Sequence, residues 1–144
     1  MGINTRMKKR EQVPSSVQLI ISDSTAKMIK LNVPHNPGES AVVVAAQLVD
    51  ISASGCGVEV PYLIPAGIGL EAKIDAATFV HEIGSERKEP IVASCKVASC
   101  VMKAASFYRL GLSFVNISPA DKALIEDFIK LRERRKDTRW DMSK

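Results

Sequence analysis

At 144 residues, 46% hydrophobic and 25% charged, the chain has the make-up of one domain with a buried core, not of a disordered or fibrous protein. Its net charge of +4 and pI of about 9.1 suit an anionic partner: a phosphate-bearing ligand, nucleic acid or an anionic membrane surface. The three cysteines, Cys56, Cys95 and Cys100, form no C-x-x-C pair and have no His nearby, which argues against a zinc set or a disulfide frame and for reduced core thiols in a cytosolic protein.

The first charged segment is "RMKKR", residues 6–10, four cations before any hydrophobic run. Arg6 and Arg10 are spaced by four, so both guanidinium groups can point the same way on an extended arm or on a helix. The polar N-terminus lacks the apolar run of a secretory signal. "VQLIIS", 17–22, is rich in strand formers, and "AKMIKLNV", 26–33, reads as its continuation or partner. "PHNPGES", 34–40, is a loop. "AVVVAAQLVDIS", 41–52, is a long strand, and no apolar run approaches the roughly 18 residues of a membrane span. "GCGVEVP", 55–61, alternates, with Cys56, Val58 and Val60 on one face and Glu59 on the other.

"LIPAGIG", 63–69, is a turn, and "LEAKID", 70–75, alternates as a strand. "ATFVHEI", 77–83, is ambiguous, and "GSERKEP", 84–90, is a polar loop. "IVASCKVASCVMK", 91–103, and "FYRLGLSFVN", 107–116, read as paired strands. In the second, Tyr108, Leu110, Leu112 and Phe114 share one face, and Arg109 and Ser113 the other. The period then changes. Ser118 is placed as an N-cap, Pro119 as the first helical residue and Asp121 three after the cap. Leu124, Ile125, Phe128, Ile129 and Leu131 form the apolar stripe of a helix over 118–136. Six or seven short strands before one terminal helix suggest a closed antiparallel barrel or a sandwich with a helix packed on it.

Strand 41–52 changes character near its end. Apolar residues occupy both phases up to Leu48, with Gln47 the exception, after which Asp50, Ser52 and Ser54 take the even positions. Strict alternation places Asp50 and Ser52 together on one face while Val49 and Ile51 hold the core. Gly55 follows, where a sharp turn or a close backbone approach needs a residue without Cβ.

R-x-x-x-R near the start, D-x-S-x-x-G at the end of an early strand, and "YRLGLSFVNISPAD" leading into a terminal helix together resemble the PilZ family, bacterial receptor domains for cyclic di-GMP. The resemblance spans nearly the whole chain. It implies an all-β fold, a six-stranded antiparallel β-barrel with a C-terminal α-helix. It also implies a site in which Arg6 and Arg10 wrap over the ligand while Asp50, Ser52 and Gly55 form the barrel-surface half. The corresponding division is a flexible basic arm over 1–12, barrel plus helix over 13–136 and a tail over 137–144.

The chemistry agrees. Arginine forks onto phosphate oxygens or guanine O6 and N7, which lysine does not reproduce. A carboxylate such as Asp50 accepts from the guanine N1–H and exocyclic amine. Ordering five arm residues costs on the order of 5–10 kcal/mol. Charge-assisted bonds return roughly 1.5–3 kcal/mol each, so one arginine does not hold the arm and a pair is intelligible. The arm is therefore expected to fold over the ligand as a switch, with a downstream protein as the receiver of the signal and either a monomer or a homodimer as the assembly.

Other patterns carry less. "STAK", 24–27, lacks the companions of serine–lysine acyl-transfer enzymes. "GIGLEA", 67–72, precedes a strand, so it lacks the helix N-terminus of a phosphate cradle. His35 and His81 have no ligand set around them. No nucleophile–base pair is evident, so the chain reads as a non-enzyme without metal or cofactor beyond its ligand. The basic run at 130–139 suits the negative end of a helix dipole. Two alternatives stand beside the receptor: a small β-barrel binding single-stranded nucleic acid, for which aromatics are scarce, and a PilZ-like protein-interaction adaptor that does not bind nucleotide.

Overall fold

The structure, a computed structural model, describes residues 11–33, 39–104 and 106–142, with side chains described as far as residue 135. Six strands make a closed antiparallel barrel in the order β1-β2-β3-β6-β5-β4. They are β1 (Glu11–Ser22), β2 (Ala41–Ser52), β3 (Gly55–Val60), β4 (Gly69–Ile74), β5 (Ile91–Ala104) and β6 (Phe107–Ile117). Three helices join them: α1 (Asp23–Met28), α2 (Ala77–Ile83) and α3 (Pro119–Met142).

Alternation fills the barrel. Val17, Leu19 and Ile21 of β1 point inward with Val42, Val44 and Leu48 of β2, and they meet Cys56, Val58 and Val60 of β3 and Leu110 and Leu112 of β6. The outer face is mostly polar, with Val43 and Val115 exposed on it. One pole is closed by α2 and α3, whose Phe79 and Phe128 rings meet edge to face at 4.6 Å.

Several readings of the sequence need correction. The first strand begins at Glu11, not at residue 17, and the terminal helix runs to Met142, not to residue 136. Residues 26–33 do not extend or pair with the first strand. Instead the Ser22 hydroxyl accepts from Thr25 N–H at 3.2 Å and starts α1, which an Asp23–Lys27 pair at 3.1 Å supports. The ambiguous 77–83 is a helix: Asp75 Oδ1 accepts from Ala77 N–H at 3.0 Å, and Gly84 ends it with φ 74°. Val49 is not a core residue, because a bulge lies between Leu48 and Asp50 in the pairing of β2 with β3. The extra residue shifts the phase, so Leu48 and then Ile51 point inward. Leu131 is half-buried, while the other four residues of the stripe are buried.

The end of β6 and the start of α3 follow the cap signals. Ser118 Oγ accepts from Asp121 N–H at 3.1 Å. The Asp121 carboxylate turns away from the cap, pairing with Arg87 and accepting from Val92 N–H at 3.1 Å, which ties the 84–90 loop to β5 and the helix.

The strands are unequal in length, and this shapes the opposite pole. β4 pairs with β5 only over Ile91–Lys96, whereas β5 and β6 stay paired out to Ala104 and Phe107. The β5–β6 hairpin therefore overshoots its neighbours, at the pole that also carries α1 and the 61–68 connection.

Candidate functional site

The bulge in β2 does more than correct a register. It puts Asp50 on the outer face, with Gly57 of β3 on one side and Gln12 of β1 on the other. Gly57 in turn pairs with Gly111 of β6. Two adjacent strands thus lack side chains at this level, and the long side chain of Arg109 lies down across them. Arg109 Nη2 donates to Asp50 Oδ2 at 2.7 Å. A Cβ on Gly57 would sit 2.8 Å from Asp50 Oδ1 and 3.1 Å from Arg109 Nη2, so this glycine makes room for the pair. Both partners keep some solvent contact, with side-chain exposures of 16% for Asp50 and 34% for Arg109. The pair presents a carboxylate beside a guanidinium, complementary to a planar edge that offers both donors and acceptors.

Ser52 and Gly55 build the turn that holds this arrangement. Ser52 is buried; its hydroxyl donates to the Gly55 carbonyl at 3.3 Å and accepts from Ser54 N–H at 3.3 Å. Gly55 packs backbone to backbone, since a Cβ there would lie 2.2 Å from the Leu112 carbonyl oxygen. The β2–β3 turn is therefore pressed against β6, and Phe114 N–H donates to the Ser54 carbonyl at 2.9 Å.

The structure brings Asp50, Ser52 and Gly55 together at one edge of the barrel. Arg6 and Arg10 lie outside the described residues. Sequence reasoning placed Arg109 on the outer face without connecting it to Asp50, and it missed Gly57 and Gly111. The signal was present in G-C-G at 55–57 and R-L-G at 109–111, two outward positions that only strand pairing sets side by side.

A second charged cluster lies beside the start of β1. Arg132 of α3 grips Glu82 of α2 with Nε at 2.8 Å and Nη2 at 2.5 Å, and its Nη1 donates to the Gln12 carbonyl at 3.2 Å. Its guanidinium also stacks 4.7 Å from the Phe128 ring centroid. Arg135 adds a contact to Glu82 at 3.1 Å. The hydrogen bonds from Arg132 hold the Glu82 carboxyl below its ordinary value, and those to Glu82 raise Arg132 above its own. One helix side chain thus touches the backbone beside Asp50. Among the described residues, no group of His, Cys, Asp and Glu could hold a metal ion.

The class is that of a closed six-stranded antiparallel barrel with a terminal helix. The PilZ domain model matches residues 4–131, and the chain belongs to that family. Among solved structures, the Bacillus subtilis inhibitor of motility MotI/DgrA is similar with a TM-score of 0.58 and 17% identity, over 90% of this chain and 52% of its own. Escherichia coli YcgR in complex with c-di-GMP has a TM-score of 0.60 and 15% identity, over 96% of this chain and 50% of its own. The isolated PilZ domain of YcgR with c-di-GMP has a TM-score of 0.55 and 13% identity, over 92% and 95%. The chain thus spans about half the length of the first two proteins, and at these identities the likeness concerns the fold. No curated protein sequence matches the chain. Among the described residues, no helix is long and apolar enough to cross a membrane.

Proposed function

We propose that this chain is a non-enzymatic cyclic di-GMP receptor whose N-terminal arm closes over the Asp50 edge and passes the change to a protein partner. The observation that carries this reading is the register of β1 on β2. Glu11 pairs with Ile51 and Gln12 with Asp50, and Arg10 is bonded directly to Glu11. The R-x-x-x-R arm is thereby rooted within a residue or two of the carboxylate it would close upon.

In this reading Asp50 and Arg109 take the guanine edge, and Arg6 and Arg10 fork onto phosphate or base acceptors. Ser52 and Gly55 hold the turn that aims Asp50. The conformational change has a route to the surface: Arg132 binds the Gln12 carbonyl, two residues from Arg10, and is also the clamp between α2 and α3. Movement of the arm root would be felt at α3.

Titration calorimetry with cyclic di-GMP, cyclic di-AMP and a short oligonucleotide tests the reading. Saturable heat is expected with cyclic di-GMP alone. Arg6→Ala, Arg10→Ala and Asp50→Ala are each expected to weaken binding by about tenfold or more, roughly 1.4 kcal/mol, with thermal unfolding nearly unchanged. Preference for the oligonucleotide would favour a single-strand-binding barrel, and no binding at all would leave the protein an adaptor without nucleotide.

A further inference from the structure

The pole opposite the candidate nucleotide site carries a different chemistry. Val101, Met102 and Phe107, on the two strands of the β5–β6 hairpin, are 55%, 63% and 51% exposed. Leu63, in the neighbouring connection after β3, is 57% exposed. Neighbouring residues on a strand point to opposite faces. Residues 101–104 are nonetheless all exposed, and beyond Met102, opposite Tyr108, the hairpin has no paired strand on either side. This follows from the pairing: β4 leaves β5 at Lys96, and β3 reaches only to Tyr108 on β6.

Within the hairpin tip and the connection after β3 the only charge is positive, and at the same pole Asp23 of α1 is paired with Lys27. Lys103 is the only charged residue between Val97 and Tyr108, and residues 61–67 contain none. Glu59 on β3 lies opposite Arg109, which is itself opposite Val101, so this carboxylate stands level with the base of the protrusion, beside a guanidinium. Tyr62 and Tyr108 sit half-buried at the base of the protrusion, with an apolar ring and a polar tip each.

We propose that this hairpin is a peripheral membrane-binding element that inserts Val101, Met102 and Phe107 into the surface of an anionic bilayer, with Lys103 at the headgroups. Shape and charge together select this occupant. A protrusion that is apolar on both faces offers no concave or flat patch to a folded partner, whereas a lipid surface surrounds it on all sides. A lysine beside the inserted residues keeps its ammonium among anionic headgroups while its stem stays apolar. The absence of carboxylates in these two segments removes the repulsion that would otherwise oppose contact. The inference is independent of nucleotide binding.

Cosedimentation of the full chain with phosphatidylcholine vesicles, with and without phosphatidylglycerol, tests it. Binding is expected with the anionic vesicles. The double variant Met102→Asp, Phe107→Asp is expected to reduce the partition about tenfold or more, and Lys103→Glu by a smaller factor. The second measurement places a fluorophore at the tip: the emission of Phe107→Trp in a Trp140→Phe background should shift to the blue with anionic vesicles. It should also be quenched by brominated lipid chains. Failure to bind vesicles, or binding by the double-Asp variant as strong as that of the unaltered protein, overturns the proposal; the latter would leave the basic termini as the attachment. Unshifted emission from the Phe107→Trp protein while it is bound to vesicles overturns it as well, even if the double variant fails to fold.

Discussion

Gly55 and Gly57 stand two residues apart on β3 and forbid a side chain for different reasons. At Gly55 the obstacle is the Leu112 carbonyl, which belongs to the backbone of the next strand. Gly55→Ala must push β3 from β6, and it is expected to cost about 2–3 kcal/mol in urea unfolding. At Gly57 the obstacles are the ends of Asp50 and Arg109, which can rotate away. Gly57→Ala is expected to cost under about 1 kcal/mol, yet to weaken cyclic di-GMP binding about tenfold by dispersing the pair. Comparable affinity losses without this difference in stability would show that the two glycines act alike. The thiols give another contrast. Burial pushes Cys95 up to about 12, so it stays protonated and shielded, while Cys100 is half-buried. At about pH 8, a thiol reagent should label Cys100 in the folded protein and reach Cys95 only on unfolding. Of the candidate site, Asp50, Ser52 and Gly55 were legible because one short string holds them. Arg109 was not, because its meeting with Asp50 depends on pairings across three strands.

Among the elements, α2 and α3 are held together by the Arg132–Glu82 clamp over the Phe79–Phe128 contact. Arg132→Met keeps much of the stem's packing but removes the fork and the bond to Gln12. A loss of about 1–2 kcal/mol at neutral pH is expected, discounted for partial solvent screening. The pH dependence has a definite sign. Glu82 binds its proton more weakly in the folded protein than the ordinary 4.5, so its contribution is complete above that value. It fades as pH falls through the folded value. Urea unfolding of both proteins at neutral pH and near about pH 3 should therefore find the variant's deficit shrinking in acid; a constant deficit would assign the effect to packing alone. The strands were readable from their period of two, and α3 from its cap and stripe. Helices α1 and α2 were obscured because six or seven residues are too few for a helical period to emerge from apolar runs. Their stop and start signals, Ser22, Asp75 and Gly84, were the better guide. The bulge at Val49 was written in the switch of apolar residues from even to odd positions, a change that strict alternation reads as one strand face ending.

At the scale of the whole molecule, receptor binding and barrel stability are one linked equilibrium. A ligand that binds only the folded chain at about a hundred times its dissociation constant stabilises it by roughly 2.7 kcal/mol. For a domain of this size, each kcal/mol raises Tm by roughly 3–5 °C, so saturating cyclic di-GMP is expected to raise Tm by about 10 °C. Arm and barrel contribute to that shift differently. In the proposed reading the arginines of the arm act through the ligand, so Arg6→Ala and Arg10→Ala should leave the unliganded Tm in place and remove most of the rise. Gly55→Ala should lower the unliganded Tm, because it separates β3 from β6 before any ligand arrives. Arg132→Met should lower the unliganded Tm yet keep a rise, since in the proposed reading the clamp joins the helices to the start of β1 and does not take the nucleotide. Differential scanning calorimetry across these four variants, with and without cyclic di-GMP, separates the ligand clamp from the scaffold. A full rise in both arm variants would remove the arginines from the site, whatever the barrel binds.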